Sequence, residues 1–346
     1  MPSMKTMLIL HRRAALVGLA AAAAIPVRAA APLPLRIEVP NLKNLQFFSL
    51  WVAVGAKLFE AEGLTPEVMS APQPRSVGGR LFTGEADIAV FPPPMYLGMM
   101  AEAKPVRLFA SLFANDPINL VVRKEIAQAR KVPLRGPLKD KLGALKGLKL
   151  GVAGEPPPRL HALFAAAGMD AATDVEIVII PGPDQVAAFK DHKVDILFAH
   201  TPYLETVMVD AGAVLVVDNS GGEVPGLTGN QIHALGATAD VTRDKRDLLI
   251  KVTRAIARAQ RIAHTDPQAT VAALKVAAAA NVEARQLEAI SAIYADAVPV
   301  NPRISLDGIR RAAALYPAHP RHPDFTVVNP ADFVASDIAE AALKSL

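Results

Sequence analysis

Two stretches of the chain read almost alike: TGEADIAVFPPPMYL, residues 83–97, and DHKVDILFAHTPYL, residues 191–204. Asp87 falls on Asp195 at a spacing of 108 residues. Each stretch carries an aspartate, a short continuous apolar run, then proline and tyrosine. An apolar run of this length without alternation reads as a buried parallel strand, and a proline just beyond it is tolerated in the first turn of a helix. Both stretches therefore read as strand-to-helix junctions. The two aspartates, placed just ahead of the strands, read as turn or cap residues rather than as a catalytic pair.

Working outward, the same order of elements surrounds each junction. LRIEV (35–39) and LKLGV (148–152) are first strands. FFSLWVAVGAKLFEAEG (47–63) reads as one helix ended by Gly63, and RLHALFAAAGM as its counterpart near Gly168. TPEVMSA (65–71) and VEIVII (175–180) are second strands, ADIAVF (86–91) and VDILFA (194–199) third strands, and VRLFASLF (106–113) and AVLVVD (213–218) fourth strands. Alternating strands and helices imply an α/β fold with largely parallel sheets, here as two similar doubly wound lobes. NLVVRKEI (119–126) reads as a strand leaving the first half and NQIHALGATADV (230–241) as one returning, which makes a two-stranded hinge and a discontinuous first lobe. The expected division is a leader at 1–30, lobe 1 at 31–118 and 232–346, and lobe 2 at 119–231. A long amphipathic helix is expected over 243–267, followed by helices at 268–279, 283–296, 305–316 and 331–345.

The first residues have the order of a secretory signal. Lys5, Arg12 and Arg13 precede an apolar run, Ala14 to Val27, and RAAAP follows. That run is shorter than the roughly 20 residues a bilayer span needs. Cleavage is expected after Ala29 or Ala30, since Pro32 follows Ala31. Arg12-Arg13 is the only hint of a twin-arginine route. The chain has 37 Lys+Arg and 33 Asp+Glu. Lys5, Arg12, Arg13 and Arg28 all fall before residue 32, where there is no acid, so the remainder is balanced at 33 each. The basic balance thus belongs to the leader, and the mature chain gives no sign of nucleic-acid binding. There is no cysteine. That excludes disulfides, thiolate nucleophiles, cysteine metal sites and the lipid attachment of a lipoprotein. The expected product is a periplasmic, unanchored protein of about 315 residues held by its core alone.

Ligands of open α/β sheets bind beyond the carboxyl ends of the parallel strands, and two facing lobes would put that region in a shared cleft. The candidate ligand contacts follow from this placement. In the first lobe they are Asn41, Lys43, Gln46 and Phe47 after the first strand, Arg75 after the second, and Phe91, Pro93 and Tyr96 after the third. In the second they are Glu155, Pro157 and Arg159 in GEPPPR (154–159), and His200 and Tyr203 after the third strand. Phe47 and Trp51, one turn apart, either stack on a ligand or belong to the core. Glu155 and Arg159 either meet a ligand or pair with each other. His319 and His322 have metal-like spacing but no partner cluster, so no metal and no cofactor is expected.

LRIEVP, AKLFEAEGLTPEV, LFTGEADIAVFPPP, LKGLKLGVAG and FKDHKVDILFAHTPY, taken in order, resemble the nitrate/sulfonate/taurine and thiamine-precursor group of ABC-transporter substrate-binding proteins. The resemblance covers essentially all of 35–280. It implies two lobes that close on a small molecule by hinge motion, a type II periplasmic binding protein-like fold, and delivery to a membrane permease with its ATPase. It also implies a monomer. The departures bear on the ligand. Family loops rich in Gly, Ser and Thr are replaced here by GEPPPR and FPPP, and prolines remove backbone N–H donors. Arg75, Arg159, Lys43 or His200 would have to grip an anion instead. A sulfonate- or carboxylate-like organic anion is the first expectation. A thiamine-pyrimidine-like compound is the second, with Glu155 bonding a ring amine. No G-x-S-x-G, phosphate-loop or H-E-x-x-H motif is present, so no enzyme activity is expected. Two alternatives stay open: a thiamine-pyrimidine-synthase-like enzyme, which the missing cysteines oppose, and a ligand sensor for a membrane kinase.

Overall fold

A computed structural model describes residues 31–153, 157–277, 282–316 and 324–346 of the 346. The expected leader, Glu155, His319 and His322 lie outside the described residues. The first sheet contains β1 (Leu33–Val39), β2 (Leu64–Ser70), β3 (Ile88–Phe91), β4 (Val106–Phe113) and β10 (His233–Thr238), in the order β2-β1-β3-β10-β4. The second contains β5 (Asn119–Val122), β6 (Lys149–Val152), β7 (Glu176–Ile179), β8 (Ile196–Ala199) and β9 (Val214–Val217), in the order β7-β6-β8-β5-β9. The two orders are the same. In each sheet one antiparallel strand, β10 or β5, is inserted beside the third strand.

This placement refines the expected hinge. β5 and β10 do not span the gap as strands; each belongs wholly to one sheet. The chain crosses instead through 114–118 and 218–232. β5 stops at Val122, where Arg123 turns the chain into a helix.

The helices of the first half are α1 (Phe48–Gly55), α2 (Leu58–Ala61), α3 (Gly79–Thr83) and α4 (Pro93–Ala101). Those of the second are α5 (Lys124–Ala129), α6 (Leu138–Gly143), α7 (Pro158–Ala166), α8 (Ala171–Asp174), α9 (Gly182–Lys190) and α10 (Tyr203–Ala211). After β10 come α11 (Ala239–Asp244), α12 (Arg246–Thr265), α13 (Pro267–Ala277), α14 (Ala284–Tyr294), α15 (Leu306–Ala314) and α16 (Ser336–Lys344). Two expected single helices are each divided. The 47–63 helix breaks at Lys57, which has φ 55°. Just before it, Gly55 lies so close to α13 that a Cβ would sit 1.9 Å from the Ala273 carbonyl oxygen. The 243–267 helix breaks at Lys245, whose Nζ reaches back to Asp87 at 2.8 Å.

β3 and β8 are buried at every residue, as continuous apolar strands covered on both faces should be. One face of the first sheet packs with α1, α12, α13 and α14 around Leu35, Trp51, Phe109 and Ile256. The other packs α3, α4 and α15 around Phe91, Leu97 and Ile309. The second sheet is covered likewise, by Leu160 and Phe164 of α7 on one face and by Phe189 of α9 and Leu204 of α10 on the other. Each such wholly buried large apolar side chain stabilises the fold by about 1.5–3 kcal/mol.

The two aspartates of the repeated stretches do the same work. Asp87 Oδ2 accepts from the Arg36 backbone N–H at 3.0 Å, and Asp195 Oδ2 accepts from the Lys149 backbone N–H at 3.0 Å. Their own N–H groups donate to the carbonyls of those residues, each at 2.9 Å. Each aspartate thus ties its strand to the first strand of its sheet, at the amino end of the strand it precedes. No helix among the described residues is long and apolar enough to cross a membrane.

Candidate functional site at the junction of the two sheets

The carboxyl ends of β1, β3, β6 and β8 and the starts of β5 and β10 set the boundary between the sheets. Prolines shape it. At α4 the N-cap is Pro92, followed by Pro93 and Pro94, and the Met95 and Tyr96 N–H groups both donate to the Pro92 carbonyl. The start of α4 therefore offers no free backbone donor. At α7 the N-cap is Pro157, followed by Pro158, and the Leu160 N–H is taken by the Pro157 carbonyl at 2.9 Å. Helix starts usually hold anions through such N–H groups. Here the start of α4 has none and the start of α7 has the Arg159 N–H alone, so the task falls mainly to side chains.

Arg159, in the first turn of α7, is the cation placed to do so. Its side chain is 16 % exposed, and its Nη1 lies 3.3 Å from both carboxylate oxygens of Asp116, in the crossing segment 114–118. Burial opposes its charge, but Asp116 and the Tyr316 hydroxyl more than offset this and raise the guanidinium pKa. Tyr316 follows α15, so Arg159 of the second half meets a residue carried by the first. Tyr96 is in the same group. Its hydroxyl donates to the Gln231 carbonyl at 2.5 Å, and burial, with Tyr316 adding to it, holds its pKa high.

Two histidines complete the cluster. His200 follows β8. Its Nδ1 lies 2.6 Å from the Thr201 carbonyl, and its ring stands 5.2 Å from that of Tyr203. Burial lowers its pKa, the Thr201 carbonyl opposes the shift, and Arg159 adds to it. His233 opens β10 and is 4 % exposed. Its Nε2 lies 3.0 Å from Gln46 Oε1, and its ring meets Phe47 edge-on at 5.1 Å and Phe113 at 6.3 Å. Burial pushes its pKa down to about 3, with further lowering from Arg159 and His200. His233 pairs with Phe113, three residues before the Asp116 that holds Arg159, which brings Arg159 and His233 to the same boundary.

The expected contacts therefore separate into groups. Gln46, Tyr96, Arg159, His200 and Tyr203 gather at the junction, Pro157 caps the helix that carries Arg159, and Phe47 is wholly buried in the core behind His233. Pro93 is buried in the proline wall of α4. Phe91 does not face the boundary: it is wholly buried, packed against Gly78 and Gly236 beneath α4. As the last residue of β3 it points to the face that α4 covers. Asn41 and Lys43 are exposed, and Asn41 Oδ1 closes its own turn on the Lys43 N–H at 2.8 Å. Arg75 is exposed in a short 3-10 turn. Trp51 belongs to the core and donates to the Asn44 carbonyl at 2.8 Å. Glu155 lies outside the described residues. Sequence reasoning missed His233, Asp116 and Tyr316. His233 was hidden because 230–241 reads as a connecting strand; the polar pair Asn230-Gln231 just before it was the available signal.

Beside this cluster, Glu205 of α10 is wholly buried and neither carboxylate oxygen has a hydrogen-bond partner. Burial pushes its pKa up to about 7, tempered by its own N–H and by the more distant hydroxyls of Tyr294 and Thr201. No group of His, Asp or Glu suited to a metal ion occurs among the described residues.

Residues 34–279 match the profile of the NMT1-like family. No curated protein sequence matches significantly. Several solved structures share the fold. The alkanesulfonate-binding protein SsuA from Xanthomonas axonopodis pv. citri, bound to MOPS, is 18 % identical, with 88 % of this chain and 99 % of that one covered at a TM-score of 0.61. The periplasmic nitrate-binding protein NrtA from Synechocystis PCC 6803 is 14 % identical, with 90 % and 89 % covered at 0.65. The desulfurization enzyme DszB is 16 % identical, with 90 % and 99 % covered at 0.57. At these identities the likeness carries the two-lobed binding-protein fold and not the ligand.

Proposed function

This chain belongs to the NMT1-like family, and from that premise we propose that it is an exported, non-catalytic receptor for a small organic acid. The acid sits between the two sheets and the lobes close over it. The observation that carries this reading is Arg159, a nearly buried cation at the meeting of both halves, close to His200 and His233. A guanidinium in such surroundings suits a carboxylate or sulfonate, which it grips with paired N–H groups. Tyr203 supplies an apolar surface for the rest of the molecule.

Release to an ABC permease and its ATPase completes the proposed role, with the receptor working as a monomer in the periplasm after loss of residues 1–30. The fold likeness to DszB raises an enzymatic alternative. The absence of cysteine removes a thiol nucleophile from any such chemistry.

Thermal-shift and calorimetric titration of the protein purified from the periplasm tests the reading. A ligand that binds only the folded state stabilises it by about 2.7 kcal/mol at 100 times its Kd. Carboxylates or sulfonates should raise Tm, and Arg159→Gln should abolish the shift. A shift given by thiamine precursors alone would move the ligand assignment to that class. No shift with any of them would overturn the organic-acid reading.

A further inference from the structure

The two junction histidines have fixed proton positions, and these restrict the ligand further than a single cation does. An amide oxygen only accepts hydrogen bonds, so the His233 nitrogen facing Gln46 Oε1 at 3.0 Å carries the proton. His233 Nδ1 is then a bare acceptor. It is buried and has no hydrogen-bond partner in the protein. A carbonyl oxygen likewise only accepts, so His200 Nδ1, 2.6 Å from the Thr201 carbonyl, carries its ring's proton. His200 Nε2 is then an acceptor as well. A buried acceptor left without a donor is unfavourable, and native proteins seldom keep one without a reason.

We propose that the junction selects organic acids bearing an O–H or N–H donor, with Arg159 taking the acid group and His233 Nδ1, aided by His200 Nε2, accepting from the donor. This rests on the organic-acid reading above and narrows it. Nitrate and unsubstituted alkanesulfonates carry acceptors alone. They would satisfy Arg159 while turning oxygen lone pairs toward bare imidazole nitrogens. A hydroxy or amino acid meets both requirements with neither ring changing its proton.

The charged and titratable groups facing the two rings are Arg159, Tyr203 beside His200 and the rings themselves, with Asp116, Tyr316 and Tyr96 standing around Arg159. Both rings are held neutral by burial and by that cation. A donor-free anion has one way in, which is to bring a proton with it.

The test is calorimetric titration at pH 7.5 with matched pairs: lactate against propionate, isethionate against ethanesulfonate, and 4-hydroxybenzoate against benzoate. At least one donor-bearing acid should bind about 10- to 100-fold tighter than its partner. Its binding heat should not depend on the buffer's ionisation enthalpy. His233→Phe keeps a ring of similar size without the acceptor and should erase the difference within each pair. Should that variant fail to fold, Gln46→Leu removes the acceptor that fixes the tautomer and should shrink the difference. Equal affinity within every pair, or discrimination untouched by a folded His233 or Gln46→Leu variant, overturns this inference alone. Tight binding of the donor-free acids with proton uptake does the same. If no acid of any pair binds the parent protein, the organic-acid reading and this inference both fall.

Discussion

Arg159 and Asp116 form an ion pair at 3.3 Å that joins the first turn of α7 to one of the two segments crossing between the sheets. The pair is buried on the Asp116 side, at 2 % exposure, so the carboxylate cannot turn to water when Arg159 is removed. Breaking such a pair costs about 3–5 kcal/mol, because the remaining charge stays uncompensated. Arg159→Gln is expected to lower stability by an amount approaching that range. Under the proposed function it also weakens acid binding by about 30-fold or more. Denaturant titration and calorimetry of the same variant read the two effects. An Arg159→Gln protein that binds acids as the parent does would remove Arg159 from the site.

Glu205 makes a prediction about pH. Its ordinary pKa is 4.5, and burial raises it to about 7 in the folded protein. Between those values the folded state holds the proton and the unfolded state has released it, so stability falls as pH rises from about 4.5 to about 7 and then levels. The loss is up to about 3 kcal/mol. Glu205→Gln mimics the protonated form, so the variant should gain on the parent through that window and stay ahead above pH 7. Paired urea titrations from pH 4 to 8 measure the difference. His233 titrates in the opposite sense in both proteins, and subtraction cancels it.

Asp87 behaves in reverse. Burial alone would raise its pKa, but hydrogen bonds from Arg36 and Lys245 bring it down to about 2. Its stabilisation is present above the ordinary 3.8 and is lost as pH falls through about 2. Arg36 and Lys245 are 36 % and 49 % exposed, so solvent screens the pairs and the contribution is about 1–2 kcal/mol. Asp87→Asn should cost more than Asp195→Asn, since Asp87 has the two cations as well as the strand N–H. Chemical denaturation at pH 7 compares them, and equal losses would leave the cations without effect.

Gly55→Ala should destabilise by about 1–3 kcal/mol, because the new methyl meets backbone at α13 that cannot rotate away. Gly98→Ala is the control. It lies inside α4 with no atom within 4 Å of the added carbon, so helix propensity alone should stabilise by about 0.5–1 kcal/mol. Thermal melts of the two variants should move in opposite directions.

The repeated stretch around Asp87 and Asp195 determined most of the fold from sequence alone. A buried parallel strand has to be apolar along its length, its junction with a helix is marked by proline, and an aspartate ahead of it has backbone N–H groups to satisfy. These are local requirements, and local requirements leave a local signature. The same reasoning located Arg159, His200 and Tyr203 beyond the carboxyl ends of their strands, and it read the prolines as missing donors.

Only the tertiary structure decided what meets what at the junction. His233 lies 187 residues from Gln46, and Tyr316 is likewise remote in the chain from the Arg159 it helps to hold. β10 leaves the second half and inserts antiparallel beside β3, which puts its first residue, not its last, at the ligand side. No periodicity in 230–241 encodes that reversal, because strand pairing depends on partners far away in the chain. The break at Lys57 and the burial of Phe91 are of the same kind: each is set by a helix packed across from it.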